Sequence, residues 1–428
     1  MARLFALKKG LRQTFEPRFT KFGKAKIDTI LFPTDKKLIV KLTYQADKSE
    51  KDNLVLHLTK RNKIAGVSFD GPNFLYPKWI NNLSEQTKAL KIDSLLKQKY
   101  ANEFNGNILV IDNGNVLYKK SFGFADFNNK YLLDDNSVFE LASCSKQFTA
   151  MAIMMLVEQG KINYTDNIQK YIPDLPYQNI TVENLLTHTS GLPDYMELLQ
   201  KHWDKKQFAT NYDIVSLFKK YKPKVHFTPN ETFEYSNTGY ALLSIIIEKV
   251  SGTSYAEYLE RNIFTPLGMK NSRVYNTRRV KKERINNYAY GYVYSDKLKR
   301  YILPDSLSDY DMVIYMDAIT GDGTINTTTT DLVYWDKALR ENKLVQNKTI
   351  QKAFSKHKLL NGKTSNYGYG LCIGDNDKYE KVVYHGGNWP GYSTFILHFI
   401  DKNTTIIILS NNAYENIEKL ADQITQLL

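Results

Sequence analysis

The sequence predicts an α+β fold: an antiparallel sheet built from both chain ends and flanked by helices, with a mostly helical subdomain inserted between its two halves. Three observations predict it. A helix and a hairpin come early, strong strands and a helix close the chain, and the stretch between shows neither an alternating strand–helix rhythm nor a glycine-rich phosphate loop. The chain has 428 residues, enough for one large domain or two. We divide it into a small β-rich N-terminal module with its linker, residues 1–83, and a main domain, residues 84–428.

In the N-terminal module, Lys26 to Phe32, Lys37 to Tyr44, Leu54 to Lys60 and Ile64 to Phe69 carry β-branched and aromatic residues, with turns at Pro33-Thr34-Asp35 and Arg61-Asn62. Gly71 to Pro77 reads as a linker. Ser84 is placed to cap a helix over Glu85 to Lys99, with Ile92, Leu95 and Leu96 on one face. Asn107 to Asp112 and Asn115 to Phe122 flank Asn113-Gly114, a two-residue hairpin signal. Met151 to Val157 is apolar on almost every face, the pattern of a helix buried all round, and Gly160 sits where it would end. A second apolar helix spans Tyr240 to Val250 and closes at Ser251-Gly252. Thr327 to Thr330 offers an N-cap for Asp331 to Leu339. Tyr392 to Phe399 and Thr404 to Ser410 read as strands, and a final helix from about Ala413 puts Ile417, Leu420, Ala421, Ile424 and Leu427 on one stripe.

Composition narrows the functional classes. Hydrophobic content of 42% and charged content of 24% are those of an ordinary globular protein. No apolar run reaches the length of a membrane span. Met1 to Gly10 lacks a continuous apolar region and a cleavage signal, so the expectation is a cytoplasmic protein or one whose export signal has been removed. Cys144 and Cys372 are too few for a disulfide scaffold or a zinc site, and no metal or other cofactor is expected. The net charge of +13 is scattered rather than gathered in a stripe with interleaved aromatics, which argues against nucleic acid and leaves an anionic cell-envelope polymer as a partner. The one dense cluster, Arg278 to Lys282, reads as a solvated loop.

The chemistry centres on Ser143-Cys144-Ser145-Lys146, at the mouth of the first apolar helix. Residues three apart share a helix face, so a hydroxyl and an amine are held one turn apart. A lysine that has lost its proton can take one from serine. Partial desolvation lowers a lysine's pKa toward that role. Cys144 reads as a small packing residue. Three further stretches join this one: Tyr235-Ser236-Asn237 before the second apolar helix, His385-Gly386-Gly387 before a strong strand, and Thr187-His188-Thr189-Ser190-Gly191 before a loop.

In this order and spacing, with Gly321-Asp322-Gly323 and Thr330-Asp331-Leu332, the main domain resembles the serine β-lactamase and penicillin-binding-protein superfamily, in its class C β-lactamase and DD-peptidase-like branch. The N-terminal segment resembles the small β-rich module that precedes the catalytic domain in some of these hydrolases. The resemblance implies a serine hydrolase acting through an acyl-enzyme on a small molecule or peptide: an ester, a D-amino-acid peptide or a related amide, rather than a true β-lactam substrate. The alternative is a penicillin-binding or sensor protein without turnover. A periplasmic or extracellular location is implied in the same way.

The implied roles are these. Ser143 is the nucleophile, and Lys146 shares or removes its proton. Tyr235 shuttles protons, with its pKa lowered by Lys146. Asn237 grips a substrate amide. His385, where many relatives carry lysine, orients Tyr235 or meets a substrate carboxylate. Gly386 and Gly387 let the strand approach the substrate, and the backbone N–H groups of Ser143 and Asn388 form an oxyanion hole. Asp322 stands where glycine is usual, and His188 is read as structural.

Overall fold

The computed structural model describes residues 83–100, 103–275, 285–374 and 381–428, together with the backbone of four strands nearer the N-terminus. Chain contacts divide it into two compact units, Met1–Leu75 and Tyr76–Leu428. In the first, β1 (Ala25–Thr34), β2 (Lys37–Tyr44), β3 (Lys51–Leu58) and β4 (Ile64–Phe69) form an antiparallel meander in chain order. The expected linker at 71–77, the basic cluster at 278–282 and the segment Met1 to Gly10 lie outside the described residues.

In the second unit, α1 (Glu85–Lys99) starts at Ser84, whose hydroxyl accepts the Thr87 N–H. β5 (Gly106–Asp112) and β6 (Asn115–Phe122) follow. Asn113 and Gly114 both take positive φ (49° and 83°), the geometry that a two-residue hairpin requires. The buried helix α2 (Lys146–Glu158) continues a 3-10 turn over Ala142–Ser145 and ends just before Gly160 at φ 70°. The second apolar helix, α3 (Asn237–Ser251), starts three residues earlier than its apolar pattern because Ser236 caps it, and Gly252 closes it at φ 73°. Thr328 caps α4 (Thr329–Arg340).

The last quarter supplies β7 (Cys372–Ile373), β8 (Val382–Trp389), β9 (Tyr392–Phe399), β10 (Thr404–Ser410) and α5 (Ile417–Thr425). The six strands make one antiparallel sheet in the order β7-β8-β9-β10-β5-β6. The join between the two chain ends is β10 on β5, from Thr405 opposite Ile111 to Ser410 opposite Gly106. Side chains alternate across a strand, so Leu109, Ile111, Ile396, Ile407 and Leu409 on one face share a core with Phe148, Met151 and Leu156 of α2. Phe148 stacks on Trp335 of α4 at 4.1 Å, locking the base of α2. Burying a large apolar side chain of this kind contributes about 1.5–3 kcal/mol. The N-terminus of α2 is thereby fixed against the edge of β8.

Candidate active site

Ser143 sits in the 3-10 turn, one turn ahead of Lys146. The residue before it, Ala142, takes φ 47°, a left-handed conformation that costs a non-glycine residue about 1–2 kcal/mol. Strain of this kind recurs where a reactive side chain must be presented out of a turn.

Lys146 is fully buried at the first position of α2. Its Nζ lies 3.1 Å from Ser143 Oγ, 2.9 Å from Asn237 Oδ1 and 2.7 Å from the Asp322 carbonyl oxygen. As an ammonium it donates to all three. As a neutral amine it has two N–H groups for the two carbonyl oxygens and one lone pair left for the Ser143 hydroxyl. Desolvation lowers its pKa to about 8, while the nearby Asp322 and Asp194 carboxyls hold it from falling further. About a tenth of the molecules then carry the neutral amine at pH 7.

Tyr235 comes from the irregular stretch just before α3. Its ring centroid is 5.0 Å from Lys146 Nζ. Burial pushes the phenol well above its ordinary pKa, and a side-chain hydrogen bond with Ser143 opposes the rise. The residue is 39% exposed, so water screens part of that penalty. This corrects the expectation that Lys146 lowers the Tyr235 pKa: desolvation raises it instead, and the phenol rests neutral.

Asn237 is also more occupied than expected. Its Oδ1 takes the Lys146 N–H, and its side chain lies near the half-buried Asp194 carboxyl, whose pKa burial raises. Its amide oxygen is therefore committed before substrate arrives. Asp322, where the family resemblance suggests glycine, turns its carboxyl away to accept from Tyr195 Oη at 2.8 Å and offers Lys146 its backbone carbonyl.

His385 corrects a second expectation. It is buried, with Nε2 accepting from Tyr367 Oη at 2.9 Å and Nδ1–H donating to the Gly386 carbonyl at 2.6 Å. Burial and the charge of Lys146 push its pKa down to about 3. It is a neutral ring with both nitrogens engaged, and it offers no cation to a substrate carboxylate. Its ring centroid lies 6.1 Å from that of Tyr235, within the same aromatic cluster.

Gly387 is where β8 meets the nucleophile. A Cβ there would stand 2.3 Å from the Leu141 carbonyl oxygen, 2.4 Å from Thr394 Oγ1 and 3.1 Å from the Ser143 nitrogen. Only glycine allows this approach. Trp389 pairs with Tyr392 across a two-residue turn. The antiparallel alternation then makes Asn388 opposite Ser393 a non-hydrogen-bonded pair, whose N–H points away from β9. Ser143 and Asn388 line one cleft with Tyr195, Asn237, Asp322 and Trp389. Its wall also carries the buried Glu140 and Asp317, and among the described residues that line it none is basic. Cys144 beside the nucleophile is buried, donates to the His385 carbonyl at 3.1 Å, and has its pKa pushed up to about 12 by burial. It packs as an inert thiol.

The architecture and this cluster define a serine hydrolase of the penicillin-binding-protein and β-lactamase type. A family model described as Beta-lactamase matches residues 92–428, and the chain belongs to that family. It is 46% identical over 309 residues to penicillin-binding protein 4* of Bacillus subtilis, covering 72% of this chain and 68% of that one. Among solved structures it is similar to the penicillin-binding protein of Bacillus halodurans, with a TM-score of 0.68 and 25% identity over 79% of this chain and 99% of that one. It is also similar to the octameric penicillin-binding protein homologue of Pyrococcus abyssi, with a TM-score of 0.65 and 30% identity over 78% of this chain and 75% of that one. D-amino acid amidase from Ochrobactrum anthropi SV3 shares the fold, with a TM-score of 0.65 at 23% identity over 79% of this chain and 98% of that one. Among the described residues no helix is long and apolar enough to cross a membrane.

Proposed function

We propose that the chain hydrolyses an amide or ester through an acyl-enzyme on Ser143, as a D-amino-acid amidase, peptidase or esterase rather than a β-lactamase. The observation that carries this reading is the buried amine of Lys146, 3.1 Å from the Ser143 hydroxyl, with a pKa near 8.

Neutral Lys146 takes the Ser143 proton as Oγ bonds to the substrate carbonyl carbon. The carbonyl oxygen becomes an oxyanion held by the Ser143 and Asn388 N–H groups, each worth about 3 kcal/mol in the transition state. Collapse breaks the bond to the leaving group, which takes the Tyr235 phenol proton. The Lys146 ammonium, 5.0 Å from the Tyr235 ring centroid, then returns its extra proton to the phenolate directly, since the acylated Ser143 oxygen carries none. Water then enters by the same relay in reverse and releases the acid. Lys146 is the resting base, because it is the group that burial brings toward neutrality, whereas burial holds Tyr235 as the proton-bearing donor. Asn237 and the Asp322 carbonyl keep Lys146 aimed.

Substrate choice follows from charge. Among the described residues, neither the cleft lining nor His385 supplies a cation apart from Lys146. A neutral acyl group suits such a cleft better than one anchored by a carboxylate. A fluorophosphonate probe tests the reading: wild-type protein should be labelled on Ser143 alone, and Ser143→Ala not at all. Unlabelled folded wild type, or labelling that survives Ser143→Ala, overturns it.

A further inference from the structure

We infer that His188 is a positioning residue for Tyr235, holding the phenol in register with Ser143; the inference rests on the acyl-enzyme reading above. Tyr235 lies in a stretch with no helix or strand to fix it. His188 grips that stretch on both sides of the tyrosine. Its carbonyl oxygen accepts the Glu234 N–H at 3.0 Å, and its Nδ1 accepts the Ser236 N–H at 3.1 Å. Its ring lies against the Tyr235 ring between these two bonds, with centroids 4.3 Å apart and planes inclined by 36°.

The same imidazole is wedged by Tyr367 at 4.4 Å and Tyr240 at 5.1 Å, and Tyr240 Oη is tied to the Leu186 carbonyl. The clamp therefore stands on α3 and on the short helix Val182–Leu186. Because Nδ1 accepts, the ring proton is on Nε2, which is buried without a hydrogen-bond partner among these aromatic rings. Burial, with the charge of Lys146 nearby, holds the ring neutral, which keeps Nδ1 an acceptor. His188 itself sits at φ 57°, a conformation that favours glycine. A glycine would satisfy the backbone and keep the Glu234 bond, but it would lose the Nδ1 acceptor and the stack. The side chain thus has a task that the turn alone does not set.

A misplaced donor matters most when the leaving group needs a proton, so the role separates amides from activated esters. The test compares His188→Asn, His188→Phe and His188→Ala with wild type, using a p-nitroanilide and a p-nitrophenyl ester of the same acyl group. Rates are normalised to the sites that a fluorophosphonate titrates. Phenylalanine keeps the stack without the acceptor, whereas asparagine tolerates the left-handed backbone and can present Oδ1 where Nδ1 stood. The expected result is a ten- to hundredfold fall in per-site anilide acylation for Phe and Ala, less than threefold for the ester, KM nearly unchanged, and partial recovery with Asn. If Phe does not fold, Asn against Ala carries the comparison. Unchanged per-site rates with only fewer titratable sites, or equal losses on both substrates, would show a merely structural residue and overturn the inference. An unlabelled wild type would overturn the acyl-enzyme reading itself, and this one with it.

Discussion

The side-chain nitrogen of Lys146 stands 3.1 Å from the hydroxyl of Ser143, with its other two hydrogen-bonding directions taken by Asn237 and the Asp322 carbonyl. Once the ammonium loses a proton, the lone pair has one place to point. Lys146→Met should therefore lower kcat/KM for ester hydrolysis by about 10²–10⁴-fold, the range of a lost general base. Lys146→Arg should do no better, because a guanidinium stays protonated. Recovery of activity with arginine, measured on protein of wild-type circular dichroism, would contradict the base role.

The pH dependence follows from the same nitrogen. Lys146 must be neutral to act, and its pKa is lowered to about 8. Acylation kcat/KM should rise about tenfold per pH unit below that point and level off above it. A limb near pH 6.5 instead would implicate a histidine. His385 is expected to contribute none, since it is already neutral at any pH well above about 3.

Tyr235→Phe removes the proton donor and keeps the ring against His188. We expect a loss on the order of a hundredfold for an anilide and less than tenfold for a p-nitrophenyl ester, whose leaving group departs without a proton. Equal losses would mean that the phenol acts on the nucleophile rather than on the leaving group.

At Gly387 the packing leaves no room for a methyl group. Gly387→Ala would press Cβ to 2.3 Å from the Leu141 oxygen, so β8 must move off the nucleophile. Overpacking of this kind costs about 1–3 kcal/mol. Thermal unfolding should show that loss, with a drop in kcat larger than the loss of folded protein explains.

His385→Asn gives a test of substrate charge. With both ring nitrogens engaged, His385 is expected to make no ion pair with substrate. The substitution should therefore affect matched substrates with and without a terminal carboxylate to within about threefold of each other. A selective rise in KM for the carboxylate-bearing one would restore the carboxylate-binding role expected from the sequence.

Much of this architecture was legible in the sequence because its signals are local. Ser84, Asn113-Gly114, Gly160 and Gly252 each mark an element end by backbone chemistry confined to a few residues. The apolar runs of α2, β9 and β10 report burial directly. The Ser143–Lys146 proximity follows from helix geometry alone. The states of the other side chains were less legible, because distant groups set them. The lowering of Lys146 by desolvation was foreseen from the sequence, but the opposing Asp322 and Asp194 carboxyls, and the Tyr367 hydroxyl that occupies His385, come from distant parts of the chain. For Tyr235, the sequence suggested a charge effect where desolvation dominates. His188 was visible as a residue, but its grip on both sides of Tyr235 exists only in three dimensions.

The most direct test of the central claim is intact-mass measurement of protein quenched in acid within the first turnovers of p-nitrophenyl acetate. One acetyl group on the wild-type chain, mapped to Ser143 and lost on standing as product forms, is the predicted result. A wild-type chain that turns over with no acyl adduct, or an adduct that maps elsewhere or persists in Ser143→Ala, contradicts the account.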